Sequence, residues 1–183
     1  MKKLDRKEWL NTLILALGIA LLPPLWAVLS PYLGINTGAV ALICAAIYVA
    51  NGNNIHDGVK ISIGFLCGDI WAYCVLKIMG IMQFNPDVEL FITLFVMGGL
   101  AVIIGCIYSR WIYLPSWLCG WAIGLTIMSP IEISKIGSLS IQIGVSMLVG
   151  VWYVGVGVDK FQKFMNGLCT KNKANSKNRN KIK

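Results

Sequence analysis

Asp69 is an acid set deep in an apolar stretch, Gly58 to Met79, which reads GVKISIGFLCGDIWAYCVLKIM and is long enough to cross a bilayer. A carboxylate at that depth is costly, roughly +2.5 to +3.5 kcal/mol on insertion scales, and is therefore a functional candidate by default. On a helix, Ser62 lies seven residues earlier on the same face, Tyr73 four residues further on, and Lys77 two turns above. Hydroxyl, carboxylate, phenol and ammonium then follow one another along one side. Such a face can line a solute path, with Asp69 holding a proton or cation or orienting a neutral polar solute. The same residues can instead serve hydrogen bonding between helices, with Asp69 protonated or paired to Gln142, Tyr73 or a backbone group. Gln142 and Ser146, four apart in a later apolar run, would offer a second polar face.

Other residues point to packing. Gly64-x-x-x-Gly68 and Gly120-x-x-x-Gly124 each repeat a small residue one turn apart, which lets membrane helices approach backbone to backbone. Trp71, Trp117, Trp121 and Trp152 lie too deep for an interfacial belt and read as packing partners. Pro23, Pro24 and Pro115 are expected to break or kink their helices, because proline removes a backbone donor and clashes with the preceding turn.

No catalytic constellation is present. There is no Ser/His/Asp set, no pair of deep carboxylates and no phosphate-cradling glycine loop, and an enzyme needs at least two convergent groups. The chain is not read as an enzyme and calls for no cofactor. Five of its six cysteines lie inside apolar runs, none is spaced C-x-x-C, and the single His56 has no partner at a ligand spacing, so no metal is expected.

The elements that must hold these residues follow from composition. Of 183 residues, 57% are hydrophobic and 13% charged, with mean hydropathy +0.71. A soluble domain is about a quarter charged. This is an all-α, polytopic membrane helix bundle. Six apolar runs are expected as helices, at about 9–29, 37–50, 58–80, 90–108, 112–128 and 137–158. The second and fifth fall short of the roughly 17 to 25 residues of a full span. The first helix is expected to be uncleaved, since no A-x-A-like site follows it. Residues 1–8 form a basic N-terminus, and 159–183 a basic, disordered tail.

The formal charge of +8 is concentrated in those two ends, which places both in the cytoplasm by the positive-inside rule. A basic tail beside a membrane span suits topology and anionic lipid better than nucleic acid, so the bilayer is the expected partner and nucleic acid is not. Runs that are long, short, long, then long, short, long suggest a 3+3 inverted repeat. With Cys44 set on Cys119, VALICAAIYV lies beside PSWLCGWAIG, and Gly68 to Trp71 (GDIW) corresponds to Gly150 to Tyr153 (GVWY). Inverted repeats with short or interrupted segments characterise transporters. A four-span alternative has the second and fifth segments re-entrant.

Several short motifs carry a resemblance. They are the small-residue run from Gly38 to Tyr48, the segment Cys67-Gly68-Asp69-Ile70-Trp71, and Leu114-Pro115-Ser116 leading to Gly120. Together they resemble small bacterial inner-membrane proteins grouped as domain-of-unknown-function family 1097, over about residues 10 to 160. The resemblance implies a multi-spanning inner-membrane protein and brings no established activity or site. Gly68 and Trp71 match its pattern, which does not require an acid at Asp69.

The expected function is a channel or facilitator for a small, mostly uncharged polar solute or weak base, with a homo-oligomer compatible with a 20.1 kDa chain. The alternatives are a non-transporting membrane scaffold or partner subunit, and a proton-coupled small-solute transporter that uses Asp69.

Overall fold

The computed structural model describes residues 5–81 and 85–167, and among these every regular element is helical. Helix α1 (Arg6–Leu29) passes into a short 3-10 turn (Ser30–Leu33). Helices α2 (Val40–Ala50), α3 (Ile55–Met79), α4 (Pro86–Ile107) and α5 (Leu114–Met128) follow. Helix α6 starts as Ile136–Val149 and winds through a π-helical stretch, Gly150–Val156. It continues so that one apolar helix runs from Ile136 to Gly167.

Among the described residues, four helices are long and apolar enough to cross a membrane: Glu8–Leu33, Ile55–Met79, Pro86–Ile107 and Ile136–Gly167. The bundle fits membrane insertion. The apolar windows of the first and third of these are each 17% buried, against 44% and 56% for α3 and α6, so α3 and α6 form the centre while α1 and α4 lie outside. Leu13, Leu17 and Leu21 on α1, and Phe91, Phe95 and Ile103 on α4, face outward. The short helices fill the inside: α5 packs along α3, and α2 packs along α6 and its π stretch.

The direction of each helix can be read from its contacts. Gly58 lies beside Trp152 and Gly137 beside Tyr73, so α3 and α6 run antiparallel. Gly64 meets Ser116 and Gly124 meets Ala72, so α5 runs with α3. Thr37 meets Ser146 and Gly155 meets Tyr48, so α2 runs with α6. Gly18 meets Val158, and Gly105 meets Leu114, which sets α1 against α6 and α4 against α5. Every helix reverses the direction of the one before it.

Local sequence explains the boundaries. Asn54 caps α3, its Oδ1 accepting from His56 N at 3.1 Å, while the side-chain amides of Asn51 and Asn54 both donate to Asp57 Oδ2. The helix therefore starts at Ile55, inside what reads as a polar loop. Asn85 does the same for α4, accepting from Asp87 N at 3.0 Å with Pro86 in the first turn, where its missing N–H costs no bond. Asp87 and Glu89, which precede the apolar run expected from about residue 90, thus belong to α4.

Three expectations are corrected. Of the break or kink expected at Pro23 and Pro24, the break does not occur, since α1 is helical from Arg6 to Leu29; an apolar environment holds a helix together across a proline more firmly than water does. Pro115 does not break α5 either. It lies in the first turn, a position that suits proline. The disordered tail does not begin at 159, because α6 stays helical to Gly167. That extension is held by an Asp159–Lys163 ion pair at 2.7 Å, by buried Val158 against Gly18 of α1, and by the Gln162 amide donating to Asn11 O at 3.2 Å. The basic residues beyond it, Lys171 to Lys183, and Lys2 and Lys3 at the other end, lie outside the described residues, as do Gln83 and Cys169.

Candidate functional site

A glycine seam joins α3 and α5. A Cβ on Gly68 would run into the Trp117 carbonyl and the backbones of Gly120 and Trp121. One on Gly64 would meet Ser116 and the Tyr113 carbonyl, and one on Gly120 the Phe65 backbone. Backbone thus lies close to backbone at Gly64, Gly68 and Gly120, while Gly124 meets the Ala72 side chain. Trp71 closes the α4 side of the seam. Its ring stands edge-on to Trp117 at 5.4 Å between centroids, and its Nε1 donates to Met97 O at 3.1 Å.

Asp69 lies on the other side of this seam, where α3, α5 and α6 meet. It is 4% exposed. The Ser140 hydroxyl of α6 donates to its Oδ2 at 2.6 Å. Its Oδ1 is buried without a hydrogen-bond partner. Both walls are glycine: a Cβ on Gly124 would stand 3.4 Å from Oδ1, and one on Gly144 3.9 Å from Oδ2. The carboxyl thus has one oxygen satisfied and the other free to take a proton or a donor, in a setting too closely packed for a large molecule.

The other residues expected around Asp69 do not join it. Ser62 does share its helix face, but it accepts from Trp152 Nε1 at 3.0 Å, three turns down α6 from Ser140. Tyr73 lies beside Gly137, with the Lys77 ammonium 5.7 Å from its ring centre. Gln142 accepts from Asn36 N at 3.3 Å, and Ser146 shares a 3.0 Å hydrogen bond with Thr37. The polar face of α3 is therefore not one continuous path. It is divided among separate contacts with α6, and the second face on α6 is turned toward the start of α2.

Ser140 was the residue missed. A signal for it is present in Gly137, Ser140 and Gly144, which follow at spacings of three and four and so form one small-residue stripe on α6. That stripe faces Tyr73, Asp69 and Leu66.

Three apolar cavities open elsewhere. One of about 300 Å³ lies between α1, α2 and the π stretch, lined by Ile19, Ala46, Val154 and Val158 among others. Another, of about 400 Å³, continues it past Pro23 and Pro24, sharing Ile19 and Leu42. The third, of about 340 Å³, separates α2 from α5 at Ile43 and Ala122. Asp69 lines none of these three.

A family model described as a protein of unknown function (DUF1097) matches residues 16–163. No curated protein and no solved structure matches the chain.

Proposed function

The chain belongs to the DUF1097 family, and we propose that it is a small membrane transporter in which the Asp69 carboxyl is the central binding group for a proton and a small polar solute. One observation carries this reading: Asp69 is almost fully buried between three helices with Oδ1 unmet, while Ser140 alone holds Oδ2. An acid kept at such depth for architecture alone would gain from having both oxygens satisfied. An occluded carboxyl suits a carrier that exposes its site by moving helices better than a channel, which needs a standing path.

The arrangement of helices supports the same reading. Exchanging the first three helices for the last three maps α2 on α6 onto α5 on α3, and α1 on α6 onto α4 on α3. With each helix reversing direction, these paired contacts support a 3+3 inverted repeat, whose site would lie where the halves meet. The α3–α6 crossing at Asp69 is such a place. Six crossings with both termini cytoplasmic, in a bacterial inner membrane, complete the proposal. α2, at 11 residues, is about 16 Å long, so the residues flanking it would complete its crossing of the roughly 30 Å hydrocarbon core.

The scaffold alternative draws on a different observation, the tight α3–α5 seam, which leaves no open route between those two helices. Flux separates the two. Purified protein in liposomes is given a panel of small polar solutes and weak bases under an inward proton gradient. Uptake of one of them above empty liposomes supports transport, and uptake of none supports the scaffold.

A further inference from the structure

The inner face of α4 carries Glu89, Thr93, Ala101 and Gly105, four buried residues at spacings that are multiples of four. Its lower part is small and packs against α5, where Gly105 meets Leu114 and Gly98 meets Trp121. Its upper part is polar. Glu89 is 7% exposed and Thr93 5%. Glu89 Oε1 and Thr93 Oγ1 are both buried and both lack a hydrogen-bond partner. A threonine hydroxyl on a helix ordinarily bonds the carbonyl one turn back, as Thr126 does to Ala122 O at 2.8 Å, so Thr93 stands out by not doing so.

These two groups are set apart from the Asp69 site. Asp69 contacts α6 through Ser140, and α5 through Gly124. Glu89 and Thr93 belong to α4, which packs on α3 and α5 through Trp71 and Trp121. Extending the α4–α5 register from Gly105–Leu114 and Gly98–Trp121 brings Thr93 level with Thr126 and Glu89 to the end of α5. The hydroxyl of Thr126 is already committed to its own helix.

We propose that Glu89 and Thr93 form a second binding site, for a small ammonium-type cation, at the end of the bundle where α4 begins. A carboxylate and a hydroxyl one turn apart lie about 5–6 Å from each other at their Cβ atoms, and the several N–H donors of an ammonium can reach both. One acid supplies one negative charge, which matches a monovalent cation, and among the described residues no group of three or more His, Cys, Asp or Glu gathers to hold a metal. The site stands independently of transport through Asp69.

Methylammonium is the probe. Binding of the radiolabelled cation is measured on the full chain, purified in detergent, for wild type, Glu89→Gln, Thr93→Val and Asp69→Asn, each checked for a single symmetric elution peak. Saturable binding is expected in wild type and Asp69→Asn alike, weaker by about tenfold or more in Glu89→Gln and by about threefold in Thr93→Val. No saturable binding by wild type overturns the site, as does binding that survives Glu89→Gln. Loss in Asp69→Asn alone reassigns the cation to Asp69 and overturns it too. Displacement by sodium as effective as by unlabelled methylammonium overturns the ammonium class. Failure of Asp69→Asn to alter flux, by contrast, would count against the transporter and leave this site standing.

Discussion

The Ser140 hydroxyl holds Asp69 Oδ2 at 2.6 Å across the antiparallel crossing of α3 and α6. Hydrogen bonds between membrane helices average about 0.6 kcal/mol and reach about 1.7. This short contact to a carboxyl belongs at the upper end. Ser140→Ala should therefore lower stability by about 1.5 kcal/mol, and the double variant with Asp69→Asn should lose less than the sum of the two single changes. Tryptophan-fluorescence melts of purified protein read both. Strict additivity would mean that the two side chains do not interact.

The glycine seam gives a sharper contrast. Gly68→Ala and Gly120→Ala each place a methyl against backbone of the facing helix, and backbone cannot yield as a side chain can. Each should cost about 3 kcal/mol, the upper range for overpacking. Gly99, one residue from Gly98 on α4, has nothing within 4 Å of its Cβ position. Gly99→Ala should be neutral or stabilising by up to about 1 kcal/mol through helix propensity. Equal losses at all three positions in the same melting assay would contradict the seam.

Tyr48 is completely buried on α2, with its ring against Gly155 and its hydroxyl without a partner. Removing an unpaired buried hydroxyl costs nothing in bonding. Tyr48→Phe should leave the melting temperature unchanged or raise it, whereas Tyr48→Ala should cost about 3–5 kcal/mol through the cavity left behind. A clear loss in Tyr48→Phe would reveal a hydrogen bond that the fold described above lacks.

The lower end of α6 can be tested by truncation. Val158 is buried against α1, and Gln162 bonds to Asn11 O. Ending the chain after Val156 should therefore loosen α1 and lower the melting temperature by several degrees, for a loss of order 1–2 kcal/mol. Ending it after Gly167 retains all these contacts and serves as the comparison. Identical melts for the two truncations would restore the reading of residues 159–167 as a structureless tail.

Much of this architecture was legible in the sequence. Apolar length alone identified the four long helices and the two short ones, because the bilayer imposes a minimum span. The glycine spacings marked Gly64, Gly68, Gly120 and Gly124 for close helix approach, but not that α3 and α5 would meet each other. The partner of Asp69 was less accessible. Gln142 and Ser146 stand four apart and look like a polar face, yet they turn toward Asn36 and Thr37. Only the antiparallel register of α3 on α6 brings Ser140 to Asp69, and register comes from tertiary packing. The helix starts at Ile55 and Pro86 were obscured by polar residues that look like loop but act as caps, Asn54 and Asn85. Glu89 was hidden for the same reason, as an acid beside a turn that the fold draws inside.

The most direct test of a central role for Asp69 is solute uptake into liposomes under a proton gradient, for wild type, Asp69→Asn and Asp69→Glu, using a solute that wild type carries. Asp69→Asn, which keeps the shape and loses the exchangeable proton, is expected to abolish gradient-driven uptake, while Asp69→Glu retains part of it. Gradient-driven uptake by Asp69→Asn at the wild-type rate would contradict a central role for this carboxyl.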